Sequence, residues 1–420
     1  MTFPRAAAII RLQVNKDSTI RINTLPGGVT APEGFVAGSA MCGVRDYGRW
    51  DLGLLLSEHD CAAAAVFTGN VIKGAPLAVT REAMENGRVR AVVVNSGNAN
   101  AATGRRGLED AYAMQALAAE ALGVEAGEVA VASTGVIGEH LPMRRISAGI
   151  EDAAAGLSRD GAGFAEAILT TDTRIKEAAD RVEVGGKMVT VGGTAKGSGM
   201  IHPNMGTMLA FMTTDAAVEK GCLQEILGAA TERTFNRVTV DGDSSPSDMA
   251  VLLANGAAGN APLTASSPDY PAFTVAVDDV ARRLAKEIAR DGEGATRLVE
   301  VVVEGAGDEA SATTLAKAVV GSNLVKAAAF GEDANWGRVL TAMGYSGVRF
   351  DPDTVELWFG PVKVFEKGDP VAHEEAEANA ALSSGEVRIT ARLNDGDASA
   401  AAWGCDLTYE YVRINGSYRT

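Results

Sequence analysis

The sequence is poor in the residues that form disulfides or bind metal ions. Among its 420 residues are only four cysteines and four histidines. No two cysteines form a CxxC pair, and no histidine has a cysteine at metal-ligand spacing. We therefore expect free thiols in a cytoplasmic protein, and no metal site. The cysteines are Cys42, Cys61, Cys222 and Cys405, and the histidines are His59, His140, His202 and His373.

The sequence also lacks a hydrophobic run long enough to span a membrane, and it lacks a visible targeting segment. Near the N-terminus only residues 6–10 are continuously apolar, which is too short for a signal sequence. Lys and Arg number 38 against 54 Asp and Glu, and the net charge is −16. Because phosphate binding requires clustered basic residues, this balance argues against a nucleic-acid partner. We expect a soluble cytoplasmic protein that binds neither nucleic acid nor a membrane.

The residues that are abundant predict a globular mixed α/β fold. Apolar residues make up 46% of the chain and charged residues 22%. Two apolar strand-like segments, 89–94 and 129–132, are each followed by a polar loop and a helical pattern, which predicts α/β units with loops at one edge. Further predictions are a hairpin at 181–191 with its turn at 185–187, a strand at 207–213, helices at 219–233, 271–290 and 312–330, and a last ninety residues with mostly strands and one helix near 370–383.

Residues 192–215 form the most informative stretch. It begins as a Gly-rich segment that predicts a flexible loop, and it continues as an apolar strand from Thr207. A threonine at the start of a buried strand, directly after Gly206, suits a chain that cleaves itself. Its hydroxyl can attack the preceding carbonyl, and cleavage leaves a free α-amine beside that hydroxyl. An ordinary loop is the commoner explanation of such residues. A phosphate-binding loop is excluded because Lys196 precedes the second glycine, Gly197, instead of following it.

A second polar loop holds Thr134 and Gly135 directly after a predicted strand. A hydroxyl beside a backbone N–H can stabilise a developing oxyanion, although Ser-Thr-Gly is also a common turn. Taken alone, Lys196 is consistent with a solvated charge in a loop, and Glu293 is consistent with a turn residue between two glycines. Residues near a chain end normally fray. The aliphatic alternation before Asn415 and Thr420 nevertheless predicts a docked strand.

Residues 196–209, KGSGMIHPNMGTML, resemble the self-processing site of the ornithine acetyltransferase family of arginine biosynthesis. The resemblance extends along nearly the whole chain. That family usually has Ala before the nucleophilic Thr, where this chain has Gly206. Other segments that resemble family motifs are 95–101, 133–138, 170–173, 240–243, 291–296, 331–338 and 411–420.

The resemblance implies an α/β fold with two mixed-sheet domains and an active site between them. It implies cleavage between Gly206 and Thr207 into chains 1–206 and 207–420, with Thr207 as nucleophile and new N-terminus. Thr134 and Gly135 would form the oxyanion hole. The implied substrate contacts are Thr170 (or the adjacent Thr171), Lys196, Thr207, Glu293, Asn415 and Thr420.

The implied reaction is acetyl transfer from N2-acetyl-L-ornithine to L-glutamate, with no bound cofactor and no metal. Some members of the family also accept acetyl-CoA as acetyl donor. The two cleaved chains would associate, often as an α2β2 assembly. Two other classes stay open at this stage. A self-processing aminopeptidase or amidase would pass the acyl group to water, and a non-enzymatic binding module would keep the chain intact.

Overall fold

The computed structural model describes residues 9–15, 18–45, 48–202 and 208–417. Gly206, Thr207 and Thr420 lie outside these ranges. The strands are β1 (Ile9–Asn15), β2 (Ser18–Leu25), β3 (Phe35–Ala40), β4 (Leu52–Ser57), β5 (Ala62–Phe67), β6 (Ala91–Asn95), β7 (Val129–Ser133), β8 (Lys176–Val184), β9 (Lys187–Lys196), β10 (Leu209–Thr214), β11 (Met249–Ala254), β12 (Leu298–Ala306), β13 (Glu356–Phe359), β14 (Val362–Glu366), β15 (Asp369–Pro370), β16 (Glu386–Arg392) and β17 (Ala398–Cys405). The α-helices are α1 (Ala75–Asn86), α2 (Gly104–Leu122), α3 (Met143–Ala155), α4 (Ala162–Ala167), α5 (Lys220–Arg233), α6 (Tyr270–Arg290), α7 (Glu309–Val320), α8 (Asn323–Phe330), α9 (Trp336–Gly344), α10 (Glu375–Ala380) and α11 (Tyr409–Ser417).

Two sheets pack face to face, and helices cover their outer sides. The seven-stranded sheet has the order β1-β2-β8-β9-β10-β11-β5, and the four-stranded sheet has the order β3-β4-β6-β7. Alternate residues of β10 point to opposite sides: Phe211 packs towards the four-stranded sheet, and Met212 packs with residues of α5 and α6. In the four-stranded sheet, Val93 packs with Met114 of α2 and Ile146 of α3. Coverage on both faces explains why β6, β7, β10 and β11 are buried along their whole length.

The third sheet has six strands in the order β15-β14-β13-β16-β12-β17. Its core is built from β-branched and aliphatic residues, among them Val301 of β12, which packs in one cluster with Leu315 of α7 and Met343 of α9. The arrangement of helices and mixed sheets confirms the predicted α/β class. In the part of the chain that the structure describes, no helix is both long and apolar enough to cross a bilayer.

The predicted flexible loop at Gly192 is wrong for its first five residues, because residues 192–196 continue strand β9. The reason is close packing. A Cβ added at Gly192 would lie 2.1 Å from the carbonyl oxygen of Gly28. The glycine therefore allows two backbones to approach each other, and it does not indicate mobility. The hairpin prediction for this region is confirmed, with Gly185 and Gly186 between β8 and β9.

The predicted docked strand at the C-terminal end is also wrong, because residues 409–417 form helix α11. Tyr411 and Asn415 lie one helical turn apart and face the same side, whereas Val412 is 69% exposed. The aliphatic residues of this segment therefore do not pack on a sheet. Within residues 331–417 the structure describes three α-helices, α9, α10 and α11. The predicted helix near 370–383 is confirmed by α10, whereas α9 and α11 were not predicted.

The predicted helix at 312–330 is two helices, α7 and α8, separated at Gly321 and Ser322. Ser322 is the N-cap of the second helix, because its hydroxyl accepts a hydrogen bond from the backbone N–H of Val325. A periodic apolar pattern that continues across the break concealed this signal.

Several strand ends meet at one place in the fold. Leu209, at the start of β10, pairs with Lys196 at the end of antiparallel β9 and with Met249 at the start of parallel β11. Thr134 follows β7 directly, and Glu293 follows the C-terminal end of α6. This arrangement gathers the ends of both packed sheets around one cavity.

Candidate active site

A cavity of about 190 Å³ lies at these strand ends. Every predicted site residue that falls within the described ranges lines it. These residues are Thr134, Gly135, Thr170, Lys196, Glu293 and Asn415, together with the alternative Thr171. Residues that are far apart in the sequence, from 134 to 415, thus line one cavity.

The loop that holds Thr134 and Gly135 is fixed by the loop that follows β6. The backbone N–H of Thr134 donates to the carbonyl of Asn95 at 3.0 Å, and that of Val136 donates to Gly97 at 3.3 Å. The backbone N–H of Thr134 is therefore already used. The Thr134 hydroxyl and the N–H of Gly135 remain, and no acceptor for the latter is present within the described part of the chain.

Gly135 is the residue that the two interlocked loops require. Its φ is +131°, which favours glycine, and a Cβ there would lie 2.3 Å from the carbonyl carbon of Gly97. The close approach of the two backbones, with Gly135 at the cavity wall, is thus possible only without a side chain. A fixed N–H beside a hydroxyl can stabilise a negatively charged oxygen.

Lys196 reaches the same wall from the end of β9. Its Nζ donates to the hydroxyl oxygen of Thr134 at 3.4 Å, which leaves the O–H hydrogen of Thr134 free to donate in turn. Burial lowers the pKa of Lys196, while the carboxylates of Asp172, Asp248 and Glu293 act in the opposite direction. The prediction that Lys196 could be a solvated charge is therefore wrong, because the residue is only 8% exposed.

A buried ion-pair network, which the sequence did not reveal, supports this wall. Lys176 Nζ lies 2.6 Å from a carboxylate oxygen of Asp172 and 2.6 Å from one of Asp291, and all three side chains are almost fully buried. Asp172 also accepts from the backbone N–H groups of Thr170 and Gly197. Although burial alone would raise the pKa of Asp172, Lys176 and Lys196 hold it below its usual value. The network thus fixes the backbone at two residues that line the cavity, Thr170 and Lys196, through Asp172.

Replacing Lys176 by Met is expected to lower the free energy of unfolding by about 3–5 kcal/mol, because Asp172 and Asp291 would be left buried without their shared cation. Urea titration of circular dichroism measures the change. Lys187→Met, at the exposed start of the neighbouring strand β9, is the matched control and should stay within about 0.5 kcal/mol of the wild type. Equal stability of the two variants would contradict the role of the network.

Glu293 and Asn415 also line the cavity and are hydrogen-bonded to each other. The Asn415 side-chain amide donates to Glu293 Oε2 at 2.7 Å, and the Glu293 backbone N–H donates to the carbonyl of Ser198 at 2.9 Å. A Cβ at Gly199 would lie 2.4 Å from the Glu293 carboxylate. Gly199 is therefore needed for the carboxylate to reach the wall. Glu293 is a turn residue, as one interpretation held, and it is also a cavity residue.

Tyr411 and Asp241 tie α11 to the segment after β9. The Tyr411 hydroxyl donates to Asp241 at 3.3 Å, and the same carboxylate accepts from the backbone N–H groups of Met200 and Ile201. Burial and the nearby Asp241 raise the pKa of Tyr411. Both residues belong to segments that the sequence had singled out, 240–243 and 411–420, but the sequence could not show that they pair.

Met208 places the start of β10 at the cavity. It lines the cavity, and its carbonyl accepts from the backbone N–H of Met249 at 2.9 Å. Thr207 is the residue before Met208 in the sequence. Within the described residues, no cluster of three or more His, Cys, Asp or Glu has the arrangement of a metal site.

The arrangement defines an enzyme site for acyl chemistry on a small charged molecule. It places the Thr134 hydroxyl and the residue Gly135, which can act as hydrogen-bond donors, in one cavity with a buried cation, Lys196, and buried carboxyl groups. Comparison with known proteins identifies the family.

The sequence profile of the ArgJ family matches residues 36–420. A relative from Symbiobacterium thermophilum, named arginine biosynthesis bifunctional protein ArgJ, is 58% identical over 399 residues, which cover 94% of this chain and 99% of that protein. A relative of the same name from Shouchella clausii is 50% identical over 398 residues, which cover 94% of this chain and 97% of that protein. A solved structure, that of ArgJ from Bacillus halodurans, is 48% identical and covers 49% of this chain and 97% of the solved chain, with a TM-score of 0.48.

The chain belongs to the ArgJ family. The resemblance drawn from the sequence motifs is thereby confirmed, and so is the prediction of an acetyltransferase enzyme of arginine biosynthesis.

Proposed function

We propose that this enzyme cleaves itself between Gly206 and Thr207 and then transfers the acetyl group of N2-acetyl-L-ornithine to L-glutamate through an acetyl ester on Thr207. One observation carries the proposal. A single cavity joins Thr134, Gly135, Lys196 and Glu293 to the residue that follows Thr207 in the sequence. Family membership supports the substrates, because curated relatives are named bifunctional proteins of arginine biosynthesis.

Cleavage would yield chains of 1–206 and 207–420. The sheet topology is compatible with such a cut, because β10 and β11 of the second chain lie between β9 and β5 of the first. Hydrogen-bonded strand pairs on both sides would hold the chains together after the peptide bond is broken. Gly206 leaves the carbonyl unhindered, as Ala does in most of the family.

In the transfer reaction, Thr207 attacks the acetyl carbonyl of the donor, and its own α-amine takes the hydroxyl proton. An α-amine has a reference pKa of about 7.7–8.0, so it is a suitable base near neutral pH. The Thr134 hydroxyl and the Gly135 N–H would donate to the oxyanion. Ornithine then leaves, and the amine of glutamate attacks the acetyl ester.

The charges of the cavity match the charges of the donor. N2-acetylornithine carries one carboxylate and one free δ-ammonium. Lys196 would bind the α-carboxylate, which donor and acceptor share, and Glu293 would bind the δ-ammonium. Asn415 orients Glu293, and Thr170 or Thr171 borders the same space. Thr420 would be a further substrate contact.

Three further features are part of the proposal. Acetyl-CoA is a second acetyl donor that some members of the family accept, and no other cofactor is required. The cleaved chains assemble further as α2β2. The enzyme works in the cytoplasm, where arginine precursors and reduced thiols are found together.

Intact-mass spectrometry of the purified protein, followed by incubation with acetylornithine, tests the function. We expect two chains that separate between residues 206 and 207, and one acetyl group on the second chain. Glutamate should then remove the acetyl group as N-acetylglutamate. Release as acetate alone would identify an amidase, and an intact chain without any adduct would identify a binding module.

Glu293→Gln should raise KM for acetylornithine about tenfold or more, since a buried charge-assisted contact is typically worth about 1.5–3 kcal/mol. Discharge of the acetyl enzyme by glutamate should change less, because glutamate carries no δ-ammonium. The two half-reactions are followed separately by the mass of the second chain. Glu287→Gln, which removes a carboxylate near the end of α6 outside the cavity, is the control. Equal losses in both half-reactions would make Glu293 a purely structural turn residue.

A further inference from the structure

One buried carboxyl group in the cavity is not accounted for by the chemistry above. Asp248 lies at the start of β11, lines the cavity and is only 4% exposed. Its Oδ2 has no hydrogen-bond partner among the described residues. Unpartnered buried carboxyl oxygens are rare and costly, so this one calls for a ligand or a reaction that uses it. No sequence motif had singled out Asp248.

Asp248 precedes a residue that is hydrogen-bonded to the start of β10. The next residue, Met249, donates its N–H to Met208, which directly follows Thr207 in the sequence. Asp248 also interacts electrostatically with Lys196, whose Nζ contacts the Thr134 hydroxyl. No ion pair within 4.0 Å joins Asp248 to Lys196 in the described chain, so the carboxyl is not simply the counter-ion of that lysine.

The other charged groups of the cavity do not neutralise Asp248. Burial raises the pKa of Asp248 well above its usual value, while hydrogen bonds from Ser245 and the charge of Lys196 act in the opposite direction. Among the described residues, Lys196 is the charged side chain whose positive charge acts on the pKa of Asp248. The remaining titratable groups that face the cavity are Asp241, Asp243, Glu293 and Tyr411, and the buried Asp172, Lys176 and Asp291 lie behind Lys196.

The proposed reaction leaves one proton without a carrier. The acceptor amino acid arrives as an α-ammonium ion, which has no lone pair and cannot attack the ester. The α-amine of Thr207 returns one proton from the attacking nitrogen to the Thr207 oxygen. A second proton must therefore leave the ammonium before the attack. In the donor half-reaction, the departing amine must gain the same extra proton to leave as an ammonium ion.

We propose that Asp248 is a catalytic residue that binds the α-ammonium of the acceptor amino acid, removes one proton from it, and returns that proton to the departing amine in the other half-reaction. The proposal rests on the proposed acetyl transfer. In discharge, the Asp248 carboxylate becomes a carboxylic acid, the neutral amine forms the new C–N bond, and the ester C–O bond breaks. The nitrogen's second proton passes through the Thr207 amine to the Thr207 oxygen. In acetylation, Asp248 gives its proton to ornithine and is again a carboxylate.

Single-turnover discharge of the acetyl enzyme tests this role with two nucleophiles. Glutamate arrives protonated, whereas hydroxylamine is mostly neutral near neutral pH. In Asp248→Asn, discharge by glutamate should slow by about 10²–10⁴-fold, the usual contribution of a general base. Discharge by hydroxylamine should be nearly unchanged, and raising the pH should restore the glutamate rate in proportion to the free amine. An equal loss with both nucleophiles would overturn the proposal.

The wild-type enzyme gives a second measurement that does not depend on the variant folding. The ratio of the glutamate rate to the hydroxylamine rate should level off above the pKa of Asp248, because its carboxylate then deprotonates the ammonium. A ratio that keeps rising with the free amine across the whole range would overturn the proposal. Failure of the acetyl transfer itself would look different, since no acetyl adduct would form in the wild type.

Asp215→Asn is the matched control. Asp215 is a buried carboxylate directly after β10, at the end remote from the cavity, and its pKa is also raised by burial. It accepts from the backbone N–H groups of Thr190 and Glu33. The variant should lose stability, but its ratio of glutamate to hydroxylamine rates should equal that of the wild type. A changed ratio in this control as well would mean that any loss of a buried carboxylate produces the effect, and would overturn the proposal.

Discussion

Replacing Thr207 by Ala is expected to leave a single uncut chain of 420 residues that forms no acetyl adduct and has no transferase activity. The reason is that, in the proposed mechanism, one hydroxyl serves in both reactions. It would attack the Gly206 carbonyl during cleavage and the acetyl donor afterwards. The α-amine that acts as base exists only once the bond has been cut. Intact-mass spectrometry and an N-acetylglutamate assay measure the two losses together.

Thr207→Ser is the control for this result, because it retains the hydroxyl and the future α-amine. It should still cleave, more slowly, and it should accept an acetyl group. Two chains that divide at position 207 in the alanine variant would show that another group performs the cleavage. An uncut serine variant would show that the methyl group of threonine is essential for placing the hydroxyl.

Replacing Thr134 by Ala should lower kcat by roughly 10²–10³-fold, the typical cost of removing one oxyanion donor, with a much smaller change in KM. For this proposed role only the side chain of Thr134 is available, because the backbone N–H of Thr134 donates to the carbonyl of Asn95. Lys196 donates to the Thr134 oxygen, so the hydroxyl hydrogen is directed elsewhere. A donor of this kind acts mainly when negative charge develops in the transition state.

Thr134→Ser restores the hydroxyl and should recover most of kcat. Steady-state kinetics with acetylornithine and glutamate distinguish the possible roles. A raised KM with normal kcat would make Thr134 an ordinary substrate contact. Failure of the serine variant to recover activity would assign the loss to packing of the threonine methyl group.

The central elements of the fold were predictable from sequence because they are buried on both faces or strongly amphipathic. Strands β7 and β10 are continuous apolar runs, and α6 shows a helical pattern over its whole length. The errors have local physical causes. Glycines of β9 that looked flexible allow close backbone contact, and the helix α11 is fixed by contacts with the cavity and not by a sheet.

The residues of the candidate site were predictable where they belong to sequence motifs that resemble those of the family. The resemblance placed Thr134, Lys196 and Glu293 in one site, and the structure brings them to one cavity. The pairing of Lys176 with two aspartates, and the unpartnered oxygen of Asp248, depend on distances between segments that are remote in sequence. No local pattern of residues carries that information.

The insertion of β10 and β11 between β9 and β5 has a consequence for how the mature enzyme would assemble. In the uncut chain, folding of one protomer is unimolecular. Its melting temperature therefore does not depend on protein concentration. Once the chain is cut, the first chain lacks β10 and β11 from the middle of the seven-stranded sheet, and the second chain lacks the strands that flank them, so unfolding is also dissociation. The midpoint of thermal unfolding should then rise with concentration. Refolding of the separated chains would become a bimolecular reaction that depends on their concentration, so a chain that folds before it is cut would assemble more readily than two separate chains.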